Sequence, residues 1–222
     1  MGTDVVGVSN YHVIAIDVSG TISAIGEPIM QPSPGDLWSC IDYESNDVVG
    51  VLADYEPIQF CDCQDSACLD LPANINTVDA AVFGPASFVP DLAVTIDNAT
   101  LPDGYGMPKS DTISPAELTI GMNVQKYGRT TGQTNGFVSA IGATFNVQYP
   151  NGLCARFVDQ VVIESAGFSA AGDSGSLIVV DDGCNDRRPV GLLFAGDQAT
   201  ITVANPIDEV LNAFPGLTVD GE

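Results

Sequence analysis

Ten short runs rich in Val, Ile, Thr and aromatic residues, each closed by Gly, Pro, Asn or Asp, constrain this chain more than any other feature. They are YHVIAIDV (11–18), DVVGVLADY (47–55), VDAAVFG (78–84), LAVTID (92–97), NVQKYG (123–128), GFVSAIGATFNVQY (136–149), RFVDQVVIES (156–165), SGSLIVVDD (174–182), RPVGLLFAG (188–196) and TITVANP (200–206). All read as strands. DDGCND (181–186) reads as a solvated hairpin connection between two of them. Helical spacing is clear only near the end. Ile207, Val210, Leu211 and Phe214 fall at i, i+3, i+4 and i+7, Asn205 can cap, Pro206 suits the first turn, and Pro215-Gly216 stops the pattern. Many strands followed by one helix predict an all-β barrel or sandwich.

Charge narrows the partners. With 29 acidic and 6 basic residues, a formal net charge of −23, the surface repels phosphate backbones and anionic bilayers. Neither nucleic acid nor membrane is an expected partner. No run approaches the roughly 20 apolar residues of a span, and no basic-then-apolar leader opens this chain. Six cysteines (Cys40, Cys61, Cys63, Cys68, Cys154 and Cys184) in an acidic chain suggest disulfides and a secreted, oxidised setting. Cys154 and Cys184 are a candidate pair. The cluster Cys40, Cys61, Cys63, Cys68 leaves disulfides, free thiols and thiolate–metal binding open. Residues 26–77, rich in Pro, Asp and Cys, read as a loop-bearing insertion, and 100–118 as a linker between two halves, 1–110 and 111–222.

One stretch asks for chemistry. Gly172-Asp173-Ser174-Gly175-Ser176 stands directly before an apolar strand. A serine hydroxyl is a weak nucleophile that needs a base, and the base needs an orienting acid. His12 is the single histidine of the chain. Two carboxylates enter apolar runs, Asp79 in NTVDAAVF and Asp91 in FVPDLAVTI, and either could orient it.

The order His12, Asp79, Ser174, in SNYHV, VDAAV and GDSGS, together with YGRTTG at 127–132, resembles the trypsin/chymotrypsin-like serine peptidases, bacterial branch, near alpha-lytic protease and the streptogrisins. The resemblance implies a double six-stranded antiparallel β-barrel of the chymotrypsin type with a C-terminal helix and the site between barrels. It implies Ser174 as nucleophile, His12 as general base and acid, Asp79 rather than Asp91 as the orienting acid, and the N–H groups of Gly172 and Ser174 as an oxyanion hole. It further implies an Arg129–Asp173 ion pair and substrate contacts at Phe168, Phe194 and Gly196. The expected substrate is a peptide or protein cleaved at a non-basic residue, because Phe168 stands where basic-specific members carry an aspartate; no cofactor or metal is implied. The family has two strands before its histidine and this chain has a short run, so the first barrel is expected to be incomplete at its N-terminus, or completed by a partner chain or a further N-terminal segment. An inactive binding module with the same fold is the alternative.

Overall fold

The computed structural model describes residues 5–16, 21–30, 48–84, 100–149, 152–197 and 199–222. The strand runs become two antiparallel sheets, and the C-terminal stripe becomes a helix. The first sheet uses β1 (Gly7–Ser9), β2 (Pro28–Met30), β3 (Val48–Tyr55) and β6 (Ala81–Gly84) in the order β1-β6-β3-β2. Among the described residues it has four strands, not six. The LAVTID run and Asp91 lie outside the described residues.

The second sheet contains β7 (Asn123–Gly128), β8 (Gly132–Gln148), β9 (Leu153–Glu164), β10 (Leu177–Val180), β11 (Pro189–Gly196) and β12 (Ile201–Pro206) in the order β12-β11-β10-β7-β8-β9. β12 also pairs with β9, from Ile201 opposite Glu164 to Ala204 opposite Val161, so these six strands close on themselves. Closure removes the unpaired edges that an open sheet would leave. Val124, Val138, Val161, Ile163, Ile178 and Leu193 fill the interior. Two short strands, β4 (Cys61–Asp62) and β5 (Ile75–Asn76), dock onto β9, the latter in parallel. Both belong to the stretch expected to be a loop-bearing insertion.

Disulfides fasten that stretch. Cys61 pairs with Cys68 of the helical turn α2 (Ser66–Leu69), and Cys63 pairs with Cys154 of β9. The expected Cys154–Cys184 pair is therefore wrong: β4 lies against β9 and places Cys61 opposite Cys154, bringing Cys63 within reach, while Cys184 is an exposed free thiol. Thiolate–metal binding is excluded for Cys61, Cys63 and Cys68, whose sulfurs are consumed; Cys40 lies outside the described residues.

Two local readings change. The YHVIAIDV run is not a strand where it begins: Tyr11–Ile14 form a single helical turn, α1. Tyr11, Ile14 and Ala15 face one core at i, i+3 and i+4 while Val13 is exposed, so the apolar spacing there is helical. The C-terminal helix is α3 (Ile207–Ala213), with Ile207 and Val210 buried, but Pro206 occupies its cap and Asn205 is the buried end of β12, its side chain engaged elsewhere.

Candidate active site

Local structure first sets the histidine. The N–H groups of Val13 and Ile14 bond the Asn10 carbonyl at 3.1 and 3.2 Å and close the turn that carries His12. Asn10 is buried and donates its side-chain amide to the Asp79 carbonyl at 2.8 Å. Asp79 lies just before β6 and is fully buried. Its backbone N–H donates to Asn205 Oδ1 at 3.1 Å, and Asn205 in turn donates to Gln160 Oε1 at 2.7 Å. A buried carboxylate must find donors, and Asp79 has three. The His12 backbone N–H reaches Oδ1 at 3.2 Å, His12 Nδ1 reaches Oδ2 at 2.7 Å, and the Tyr149 hydroxyl donates to Oδ2 at 2.8 Å. A carboxylate oxygen accepts, so the contact puts a proton on Nδ1, and in the neutral imidazole this tautomer leaves the Nε2 lone pair available. Burial, and after it the charge of Asp79, pushes the Tyr149 phenol well above its usual value and keeps it a donor.

The serine loop is built against the other barrel. Gly172 and Gly175 sit at φ +96° and +88°, in the left-handed region that side chains avoid. A Cβ on Gly172 would lie 2.5 Å from Thr130 Oγ1, and one on Gly175 would lie 2.5 Å from Ser9 Oγ. Both positions therefore require glycine. Neither the Gly172 nor the Ser174 N–H has an acceptor among the described residues. Asp173 anchors the loop from beneath: its buried carboxylate accepts from Thr130 N (2.8 Å), Thr131 N (3.1 Å), Thr131 Oγ1 (2.7 Å) and Ala170 N (2.9 Å).

The cation on Asp173 corrects an expectation. It is Lys126 of β7, with Nζ 3.5 Å from Oδ2 and both side chains fully buried. Arg129 instead stands beside Gly172, its Nη1 2.7 Å from where a Cβ there would be. The reason is the strand's alternation: Val124 and Lys126 point to the same interior, and Lys126 reaches Asp173 from within the barrel. Burial pulls the ammonium of Lys126 below its usual value, opposed by Asp173. At Asp173 burial acts to raise the carboxyl, but the bonds from Thr131, Ala170 and Thr130 outweigh it and hold the group below its ordinary range.

His12 and Ser174 line the same cleft, of about 270 Å³. No hydrogen bond joins them among the described residues. Phe194 and Gly196 of β11 also line it. Phe168 does not: its ring is in the barrel core, 5.8 Å from Lys126 Nζ. The cleft wall is taken up by the next residue, Ser169, whose hydroxyl bonds Thr202 Oγ1 at 2.6 Å. The sequence reading missed Tyr149, Lys126, Ser169 and Asn205. Only Lys126 carried a readable signal, a charged residue in phase with the buried positions of its strand.

Comparison with known proteins agrees on the scaffold. Residues 106–204 match the family model described as the Nal1 C-terminal domain. Protein NARROW LEAF 1 of Oryza sativa subsp. japonica is 35% identical over 89 residues, 39% of this chain. The match spans 15% of that relative's length. A solved glutamic acid-specific serine protease, described as using a histidine triad in substrate binding, aligns over 99% of this chain and 89% of its own, at 21% identity and a TM-score of 0.59. The fold of this chain is accordingly chymotrypsin-like, mostly β, with two sheets and a short C-terminal helix.

Proposed function

We propose that this chain is a serine endopeptidase that acts through an acyl-enzyme. The observation that carries the reading is the buried Asp79 carboxylate holding His12 Nδ1 at 2.7 Å on a cleft that Ser174 also lines. Ser174 Oγ attacks the substrate carbonyl carbon and His12 Nε2 takes its proton. Asp79 keeps the imidazole in the needed tautomer and stabilises the imidazolium. The N–H groups of Gly172 and Ser174 receive the oxyanion, one such donor being worth about 3–4 kcal/mol in the transition state. His12 then protonates the leaving amine, and water cleaves the ester by the same steps reversed.

The cleft supports a non-basic preference. Among the described residues no carboxylate lines it, and its walls include Ser169, Ala170, Ala171, Ala195 and Gly196, so a lysine or arginine side chain finds no counter-charge from these residues. The histidine triad of the glutamic acid-specific relative is not carried over, because this chain has 1 histidine. The two disulfides fit an oxidising, extracellular setting.

The lack of a His12–Ser174 bond favours a second reading, a binding module that keeps the fold without acylating. One experiment separates the two. A fluorophosphonate probe should form a covalent adduct at Ser174 in the wild type and none in Ser174→Ala. A folded wild-type protein that takes up no probe establishes the second reading.

A further inference from the structure

From the hydrogen bonds around Asp79 we infer that Tyr149 is a positioning residue of the site, one that fixes the Asp79 carboxylate and sets how strongly it pulls on the His12 imidazole. The inference rests on the peptidase reading for its consequence in catalysis, but not for the geometry it describes.

Tyr149 follows the last residue of β8, and its backbone N–H bonds the Leu153 carbonyl of β9 at 2.7 Å. Cys154, next in β9, is tied to Cys63. The tyrosine is thus mounted on a hairpin end fastened to the chain that precedes Asp79. Its ring is buried, edge-on to Phe60 at 5.1 Å and edge-on to His12 at 5.9 Å. Its hydroxyl donates to Asp79 Oδ2, the same oxygen that accepts from His12 Nδ1.

Two donors on one oxygen share its lone pairs and its charge. The phenol therefore takes part of the acceptor strength that would otherwise fall on the imidazole N–H. It also blocks rotation of the carboxylate, since turning Asp79 would break both Oδ2 bonds and the Oδ1 bond to the His12 backbone together. Tyr149 touches the imidazole from the side and the carboxylate from the end. A tyrosine kept only for packing would need the ring and not the hydroxyl.

The single histidine makes the test clean, because ¹⁵N-histidine labelling gives the ring signals of one imidazole only. In Tyr149→Phe the His12 Nδ1–H resonance should move downfield at fixed pH, as Oδ2 is left to the imidazole alone. Site-specific 3-fluorotyrosine at 149, a stronger donor of nearly the same shape, should move it upfield. In Tyr149→Phe the maximal rate of Ser174 acylation by the fluorophosphonate should fall about tenfold, with the half-saturating probe concentration unchanged. A resonance that stays at its wild-type position in folded Tyr149→Phe overturns the inference. If that variant does not fold, a 3-fluorotyrosine protein with no upfield movement overturns it. Opposite movements in the two proteins support it even where the wild type takes up no probe, an outcome that sinks the peptidase reading alone.

Discussion

Replacing Lys126 by Met tests the foundation of the serine loop. Methionine keeps most of the apolar stem, is one heavy atom shorter, and removes the charge together with its hydrogen bonds. Breaking a buried ion pair from one side typically costs about 3–5 kcal/mol. Asp173 keeps four hydrogen-bond donors after the change, so the loss should fall near the lower figure, about 3 kcal/mol. Lys126 also gives up its bonds to the Gly132 carbonyl, at 3.0 Å, and to Thr131 Oγ1, which prevents the cost from vanishing. For a chain of this size about 3 kcal/mol lowers the melting temperature by roughly 6–12 °C. Thermal and urea unfolding read that loss. Combining Lys126→Met with Asp173→Asn removes both charges and should cost less than the sum of the single changes, with a coupling of about 1–3 kcal/mol. A Lys126→Met protein that melts within a degree of wild type, or strictly additive variants, would refute the assignment of Lys126 as the cation of Asp173.

Further outcomes follow from the same contacts. The Asp197 carboxyl accepts from the N–H groups of Ile201, Ala199 and Thr200 and is held down to about 2 from an ordinary 3.8. A depressed carboxyl contributes stability above its unfolded value and loses it as pH falls through the folded one. Wild type should therefore lose stability between pH 3.8 and about 2 in acid titrations followed by circular dichroism, and Asp197→Asn should flatten that limb. The disulfides should contribute unequally. Chain entropy assigns about 4–5 kcal/mol to a loop the size of Cys63–Cys154, a separation of 91 residues, and about 2 kcal/mol to Cys61–Cys68, a separation of 7. Paired Cys→Ser variants compared in urea would show the larger loss for Cys63/Cys154, and equal losses would contradict the ordering.

The fold was legible where apolar spacing is local. NVQKYG, RFVDQVVIES, RPVGLLFAG and TITVANP all lie where strands form, because a strand's period can be read along a few residues. Of the candidate site, His12, Asp79 and Ser174 are readable as candidates, since few residue types suit the proposed chemistry and this chain has one histidine. What stayed hidden is tertiary. Cys63 meets Cys154 only because β4 docks on β9, and nothing near Cys184 in the sequence discloses that it stays free. Tyr149 reaches Asp79 across 70 residues, and a tyrosine closing a strand reads as packing until its hydroxyl has a partner.

Arg129 lies in the motif, whereas Lys126 carries the stronger physical credential as the cation of Asp173. A lysine in phase with Val124 on a buried strand cannot stay charged in an apolar core without an anion. The buried anion nearest to hand in chemical terms was Asp173, held under the serine loop. The same reasoning selects Asn10, Gln160 and Asn205, polar side chains that are all buried and all bonded around the segment carrying Asp79. Each is costly to bury; Gln160 and Asn205 bond each other and the Thr77 carbonyl, and Asn10 spends its amide N–H on the Asp79 carbonyl. Together they hold the segment that carries the Asp79 carboxylate and, through it, the imidazole, while Asp173 and Lys126 hold the serine loop. A sequence reading that seeks polar residues in phase with an apolar face, and asks what each must pair with, would find this support before any motif is recognised.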